Sequence, residues 1–368
     1  MIYKTYKQFA RMIKTHKPVN LKILLGFGLV LAGFTLRTDA QEFNRINPNL
    51  SLMQTNPAFA SFDNDLKAVL HYRSMYSAIG QNFVSPVINV AVPLFDKSRT
   101  NRWGGLGFTL ASDKAGENAY LMNTGFRVSF AYNIKLSPQQ SVSAAISAGI
   151  FRRSVNTDGF TTGSQYIPGQ GYDPSAPLNE TIQNQAKSYL DLAAGCIWQY
   201  RDKQEKLLFY AGVSAYKLNR PNISFTDMPY ESRITYLGLA GFRLIKRNQL
   251  TISPEGSLRY VDKRMSYSIG TRFEFPLGTE SKMLRQSSLS VTPRYISGNI
   301  VACSLELNHK NYAIGFGYEY NPADLTGVAG YLEAYEVMLT LKKNISKKRI
   351  EKPDVDSKYE IGKKYEIE

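Results

Sequence analysis

The stretch that decides the fold is residues 121–136, LMNTGFRVSFAYNIKL. In an extended chain Met122, Thr124, Phe126, Val128, Phe130, Tyr132, Ile134 and Leu136 share one face. Asn123, Gly125, Arg127, Ser129, Ala131, Asn133 and Lys135 share the other. A period of two marks a strand, because successive side chains point to opposite faces. The run is far longer than the globular mean of about five to six residues. It is long enough for the roughly 9–11 residues that a tilted membrane-spanning strand needs.

The same alternation recurs outward from this stretch. At 265–277, Met265, Tyr267, Ile269, Thr271, Phe273, Phe275 and Leu277 oppose Ser266, Ser268, Gly270, Arg272, Glu274 and Pro276. At 312–320, Tyr312, Ile314, Phe316, Tyr318 and Tyr320 oppose Ala313, Gly315, Gly317 and Glu319. The pattern predicts strands over 65–76, 85–95, 103–112, 121–136, 140–153, 186–200, 206–218, 231–245, 248–261, 264–277, 285–296, 299–308, 311–321 and 331–343. The expected fold is all-β: a transmembrane, antiparallel, up-and-down β-barrel of about 14 strands over residues 65–344. Alternate connections are short, near Thr100, Ser137-Pro138, Asp202-Lys203, Lys246-Arg247, 278–284 and His309-Lys310. The others include 77–84, 113–120, 154–185, 219–230 and 321–330 and are mostly long. Short periplasmic turns and long external loops are what an outer-membrane barrel shows. A cation at Phe130 or Phe273, on the lipid face, costs about 2–4 kcal/mol at mid-bilayer; Ser129 and Ser268, on the inner face, are expected to accept one more readily.

Composition agrees. Mean hydropathy is -0.28 despite 24 Tyr and 19 Phe. A helical membrane protein needs spans of about 20 apolar residues, whereas a barrel needs only every second residue apolar. At the N-terminus, Lys4, Lys7, Arg11, Lys14, Lys17 and Lys22 precede the apolar run 23–36 and a small-residue exit at Thr38-Asp39-Ala40. This predicts a cleaved signal peptide over 1–40. Residues 41–64 read as an N-terminal periplasmic segment, and 345–368, rich in Lys and Glu, as a charged and periplasmic C-terminal tail. Of the formal charge of +15, only about six positive charges fall on the body, and these are spread along it. The clustered basic footprint of nucleic-acid binding is absent.

Catalytic chemistry finds no support. After residue 40 the only imidazoles are His71 and His309, far apart in strand order. There is no glycine-flanked Ser elbow, no phosphate-cradling Gly-Lys-Ser/Thr loop and no Cys/His metal pattern. Cys196 and Cys303 fall on non-neighbouring strands and read as unpaired. The chain is expected to be no enzyme and to need no cofactor or metal. The inward set Arg127, Lys135, Glu255, Arg259, Arg272, Glu274, Glu306 and Glu319 reads as lumen-facing charge. It fits either a hydrated, salt-bridged lumen or one closed by ion-pair networks.

These residues also carry a resemblance. Asn56-Pro57-Ala58-Phe59-Ala60, then Arg73 within His71-Tyr72-Arg73, Val92-Pro93, Gly104-Gly105-Leu106-Gly107, Phe130-Ala131-Tyr132, the segment 317–320 and the closing stretch 332–341 resemble the PorP/SprF membrane proteins of the type IX secretion system of Bacteroidetes. The sequence departs from that family's usual pattern at Ser61, where a Gly is common, and at Ser74-Met75-Tyr76, where a Trp commonly follows the Arg. The resemblance implies a non-enzymatic outer-membrane role in export or surface attachment of a partner such as a gliding-motility adhesin. The implied partners are outer-membrane lipid, other secretion components and a secreted surface protein. Asn56, Pro57, Ala58 and Arg73 become the candidate docking residues, at the periplasmic rim. A small-molecule transport channel of the outer membrane is the alternative.

Overall fold

The structure is a computed structural model that describes residues 52–75, 83–116, 120–156, 163–173, 175–177, 185–225, 228–247, 250–277, 286–321 and 332–346. The expected signal peptide, residues 41–51, the tail from 347 and parts of the long loops lie outside the described residues.

Fourteen antiparallel strands follow one another: β1 (Asp65–Met75), β2 (Phe83–Phe95), β3 (Arg102–Ala115), β4 (Tyr120–Lys135), β5 (Gln140–Asn156), β6 (Ala186–Arg201) and β7 (Leu207–Tyr216). Then come β8 (Thr235–Phe242), continued by Ile245–Arg247, β9 (Leu250–Val261), β10 (Arg264–Leu277), β11 (Ser287–Ile296), β12 (Ile300–Asn308), β13 (Tyr312–Asn321) and β14 (Leu332–Asn344). Each strand pairs with its sequence neighbours, and β1 pairs with β14 in the register Val69↔Thr340 and Arg73↔Glu336. The sheet therefore closes on itself and leaves no edge, the condition for strands to stand in lipid. The 14-strand barrel expected from the alternation is the fold. The stretch from 231 is strand only from Thr235, because Glu231 bridges Asn222 and the Ser232 N–H donates to the Pro221 carbonyl within the preceding loop. Among the described residues no helix is long and apolar enough to cross a membrane.

The pleat sorts the side chains as the sequence does. Phe126, Val128, Phe130, Tyr132 and Ile134 are exposed on the outer face of β4, while Ser129, Ala131 and Asn133 between them are buried inside. Outward-facing Cys303 is exposed and both cysteines are free. Ring pairs stand at both ends of the wall: Tyr72 with Tyr335, Tyr236 with Tyr260 and Tyr267 with Tyr295 at one, and Trp103 with Tyr132 and Trp198 with Phe209 at the other. Such girdles are where amphipathic rings meet the two interfaces. The Trp103 end carries the short turns 96–101, 136–139, 202–206 and 309–311; the Tyr72 end carries the long connections, 157–185 and 217–234 among them.

Candidate functional site in the barrel lumen

The core of the molecule is the lumen, and the chain fills much of it with its own N-terminal segment. A helical turn, Leu52–Thr55, runs into a 3-10 helix, Pro57–Ser61, whose residues are all buried. Asn56, extended at φ -155°, caps that turn: its Oδ1 accepts the Ala58 N–H at 2.9 Å. Pro57 sits just inside the helix start, where its missing N–H costs nothing. The Asn56 Nδ2 donates to the carbonyls of Cys196 (3.0 Å) and Val213 (2.9 Å) on β6 and β7. A wholly buried amide thus has each of its hydrogen-bonding groups answered. Ser214 donates to the Thr55 carbonyl at 2.6 Å and the Tyr216 hydroxyl to that of Met53 at 3.0 Å. Met53, Ala58, Phe59, Ala60 and Phe62 pack on Ala131, Ala145, Ile197 and Leu239 of the wall.

The wall is shaped for this segment by residues that have no side chain. A Cβ at Gly105 would lie 2.1 Å from the Ala60 carbonyl oxygen, and one at Gly195 2.2 Å from the Asn56 Oδ1. Neither space exists unless the segment leaves. The sequence places Asn56-Pro57-Ala58 at the periplasmic rim, within a periplasmic segment; the structure has residues 52–62 inside the lumen. The physical reason is that five buried apolar side chains, Met53, Ala58, Phe59, Ala60 and Phe62, find a groove of Gly, Ala and Ser on the inner faces of β3 to β7.

At the short-turn end the segment is tied to the wall where it enters β1. Arg201 donates to the Phe62 carbonyl and to Asp63, both at 3.0 Å, with its guanidinium 5.6 Å from the Phe62 ring centre. Lys67 also pairs with Asp63, and Arg102 donates to Asn64 at 2.7 Å. Burial acts to raise the Asp63 carboxyl, but the neighbouring Lys67 and Arg201 outweigh it and hold its pKa well below the usual carboxylate range.

The opposite arc of wall carries the charge. Arg73 bridges two carboxylates, Glu319 at 2.9 Å and Glu336 at 3.0 Å, with His71 Nε2 3.3 Å from Glu336. All four side chains are nearly inaccessible. Beyond them, toward the long-loop end, Met75, Ile296, Ala302 and Ala334 form a small apolar cluster with Phe83 and Ile300. Deeper in, Arg294 pairs with Glu255 and donates to Ser268 at 3.1 Å, and Arg272 lies 3.7 Å from Glu306. On the plug side, Arg127 pairs with Asp191 at 2.5 Å and stacks over Tyr216 and Phe151 at 4.8 and 5.2 Å. Of the remaining sequence candidates, Glu274 accepts from Ser288 at 2.9 Å, Arg259 is half-buried, and Lys135 is exposed at the short-turn rim, where it donates to Asn101 at 2.8 Å. Asp191, Arg294 and Glu336 were not singled out by the sequence, and His71 was named there only as an imidazole remote from His309 and as a neighbour of Arg73; a charge at an inward position of each strand was the available signal.

Beside the plug, on the short-turn side of the lumen, lies a cavity of about 460 Å³. One wall is apolar, from Phe59, Phe62, Leu207 and Tyr210; the other is ionic, from Arg272, Glu274, Glu306 and Lys342. Lys67 and Asp65 also line it.

The family model of the type IX secretion system membrane protein PorP/SprF matches residues 47–341 of this chain. The chain belongs to that family. PorP/SprF membership, together with a closed barrel bearing an apolar outer face, makes this an outer-membrane barrel of a type IX secretion system. The match includes both the Asn56 plug and Arg73. No curated protein matches the chain. Among solved structures the chain is similar to the CymD monoaromatic hydrocarbon channel at 9% identity and a TM-score of 0.49, covering 81% of this chain and 93% of that one. It is likewise similar to the P. putida toluene transporter TodX, at 10% and 0.47, covering 80% and 93%. At TM-scores below 0.5 neither likeness bears on function.

Proposed function

We propose that this PorP/SprF barrel is a non-enzymatic docking element that supports export, or surface attachment, of a partner protein such as a large gliding-type adhesin. One observation carries the reading: the lumen is occupied by the chain's own segment and its wall is laced by buried ion pairs between neighbouring strands, an arrangement suited to holding a fixed shape. A solute channel needs a continuous wet path, whereas here the plug residues Asn56, Pro57, Ala58 and Phe59 are buried inside the barrel. The short-turn end faces the periplasm in this reading, which puts the cavity, the Asp63 anchor and the charged tail on the side of the other secretion components. Asn56, Pro57, Ala58 and Arg73 act by holding the lumen in that shape, and the long loops offer the outer surface to the partner.

The test is a strain lacking the protein, complemented with the native chain. Loss of one surface protein from the cell exterior, its restoration on complementation, and co-purification of the barrel with secretion components are the expected results. Undiminished surface proteins in the deletion strain, together with solute conduction by the purified native barrel in a lipid bilayer, would instead establish the channel.

A further inference from the structure

The cavity beside the plug has two unlike walls, and the chain itself contains a sequence with two unlike faces. Downstream of β14 the residues Lys358-Tyr359-Glu360-Ile361 recur as Lys364-Tyr365-Glu366-Ile367. In an extended chain Tyr and Ile of each unit fall on one side, and Lys and Glu on the other. The apolar wall offers Phe59, Phe62, Leu207 and Tyr210 to the first side; the ionic wall offers Arg272, Glu274, Glu306 and Lys342 to the second. Both signs of charge are present on each partner, so Lys and Glu of one unit each find a counter-charge. The cavity volume of about 460 Å³ falls in the range of roughly 300–1,000 Å³ typical of ligand sites, room for the Tyr and Ile side chains of one unit with its Lys and Glu at the edge.

Connectivity favours this occupant. β14 ends at Asn344, whose side chain donates to Asp65 at 2.8 Å, and both Asp65 and Lys342 line the cavity. The chain therefore leaves the wall beside the cavity. Residues 345–357 extend up to about 3.3–3.6 Å each, ample to turn back. A tether of this kind gives an effective concentration on the order of millimolar, so a weak contact is enough to fill the site.

We infer that the segment 358–367 seats one Lys-Tyr-Glu-Ile unit in this cavity, occupying it in competition with any other peptide. The inference is independent of what the barrel exports, and it is tested on purified protein without cells. The probe is a fluorescein-labelled synthetic peptide of residues 357–368, followed by anisotropy in detergent against the full chain and against a chain ending at Ser346. A peptide with Tyr359, Ile361, Tyr365 and Ile367 all changed to Ser reports micelle binding. The truncated chain should bind the native peptide with a Kd on the order of 0.1 mM, and the full chain about tenfold more weakly, the ratio that a tethered competitor at about 1 mM effective concentration gives at that Kd. Leu207→Trp in the truncated chain, which fills the cavity, should abolish the signal. A photo-crosslinking residue at Thr340, on the cavity wall, should link to 358–367 in the full chain. Equal binding to both chains, binding that survives Leu207→Trp, or no binding to the truncated chain would overturn the inference; so would Thr340 crosslinks confined to the barrel.

Discussion

Replacing Asn56 with Ala isolates what holds the plug in its seat. The side chain is fully buried and makes three hydrogen bonds: two donated to wall carbonyls at 3.0 and 2.9 Å and one accepted from Ala58 at 2.9 Å. The two donated bonds are worth about 1 kcal/mol each net, and the Ala58 N–H, left buried without its acceptor, adds about 1–3 kcal/mol. The total is about 3–5 kcal/mol. At 1.4 kcal/mol per tenfold, the open population of the plug rises by roughly two to three and a half orders of magnitude. The strands themselves lose nothing, since the Cys196 and Val213 carbonyls belong to ladders that remain paired. The change is therefore local opening rather than barrel unfolding. Hydrogen exchange by mass spectrometry reads it directly: amides of 53–61 should exchange several hundredfold faster while β3 to β6 keep their protection. Asn56→Asp keeps the acceptor for Ala58 but turns a carboxylate toward two carbonyls, so it should open the plug further still. Native-like protection of 53–61 in both variants would refute the reasoning.

Other substitutions probe the rest of the wall. Gly105→Ala places a Cβ on the Ala60 carbonyl and should make the plug accessible to limited proteolysis in an otherwise folded barrel. Arg73→Ala leaves Glu319 and Glu336 buried without their cation and should cost about 3–5 kcal/mol, seen as a fall in thermal midpoint that Glu319→Gln with Glu336→Gln partly reverses. Phe130→Arg, outward on β4, should lower folded yield by about 2–4 kcal/mol equivalent, measured as the heat-modifiable fraction on gels. Because the folded Asp63 pKa is depressed below the ordinary aspartate value of 3.8 by Lys67 and Arg201, its anchoring is fully present above that value and fades as pH falls through the lower folded pKa. Plug exchange corrected for intrinsic rates should hold steady from neutral pH to about 4, and Asp63→Asn should remove the acid-dependent part of its rise below that.

The barrel was legible because alternation is a local property: Phe126 to Ile134 cannot be read as anything but a two-faced strand, and 14 such runs separated by unequal connections leave few folds. The inward charges followed from the same parity. Their partners did not. Arg73 meets Glu319 and Glu336 only because β1 closes onto β14 and β13 in one register, and nothing local to residue 73 encodes that. The plug was hidden for a different reason, since an Asn-Pro turn reads alike outside a barrel and within one. The clue lay in the wall, where Gly105, Gly107, Gly195 and Gly212 occupy positions whose Cβ would meet Met53, Asn56 or Ala60. For the same reason Ser129, expected to tolerate a cation, is 2% exposed and sits over this packed seat; an Arg there would have to displace the plug.

The plug's neighbours are β2 to β8, and it runs without a break into β1, the strand that meets β14 at the seam. A segment joined directly to that strand is tethered at the seam, so the plug can leave its seat only by pulling against the start of β1. The inner surface of half the wall is thus matched to a piece of the same chain, and the seat and its occupant are inherited together.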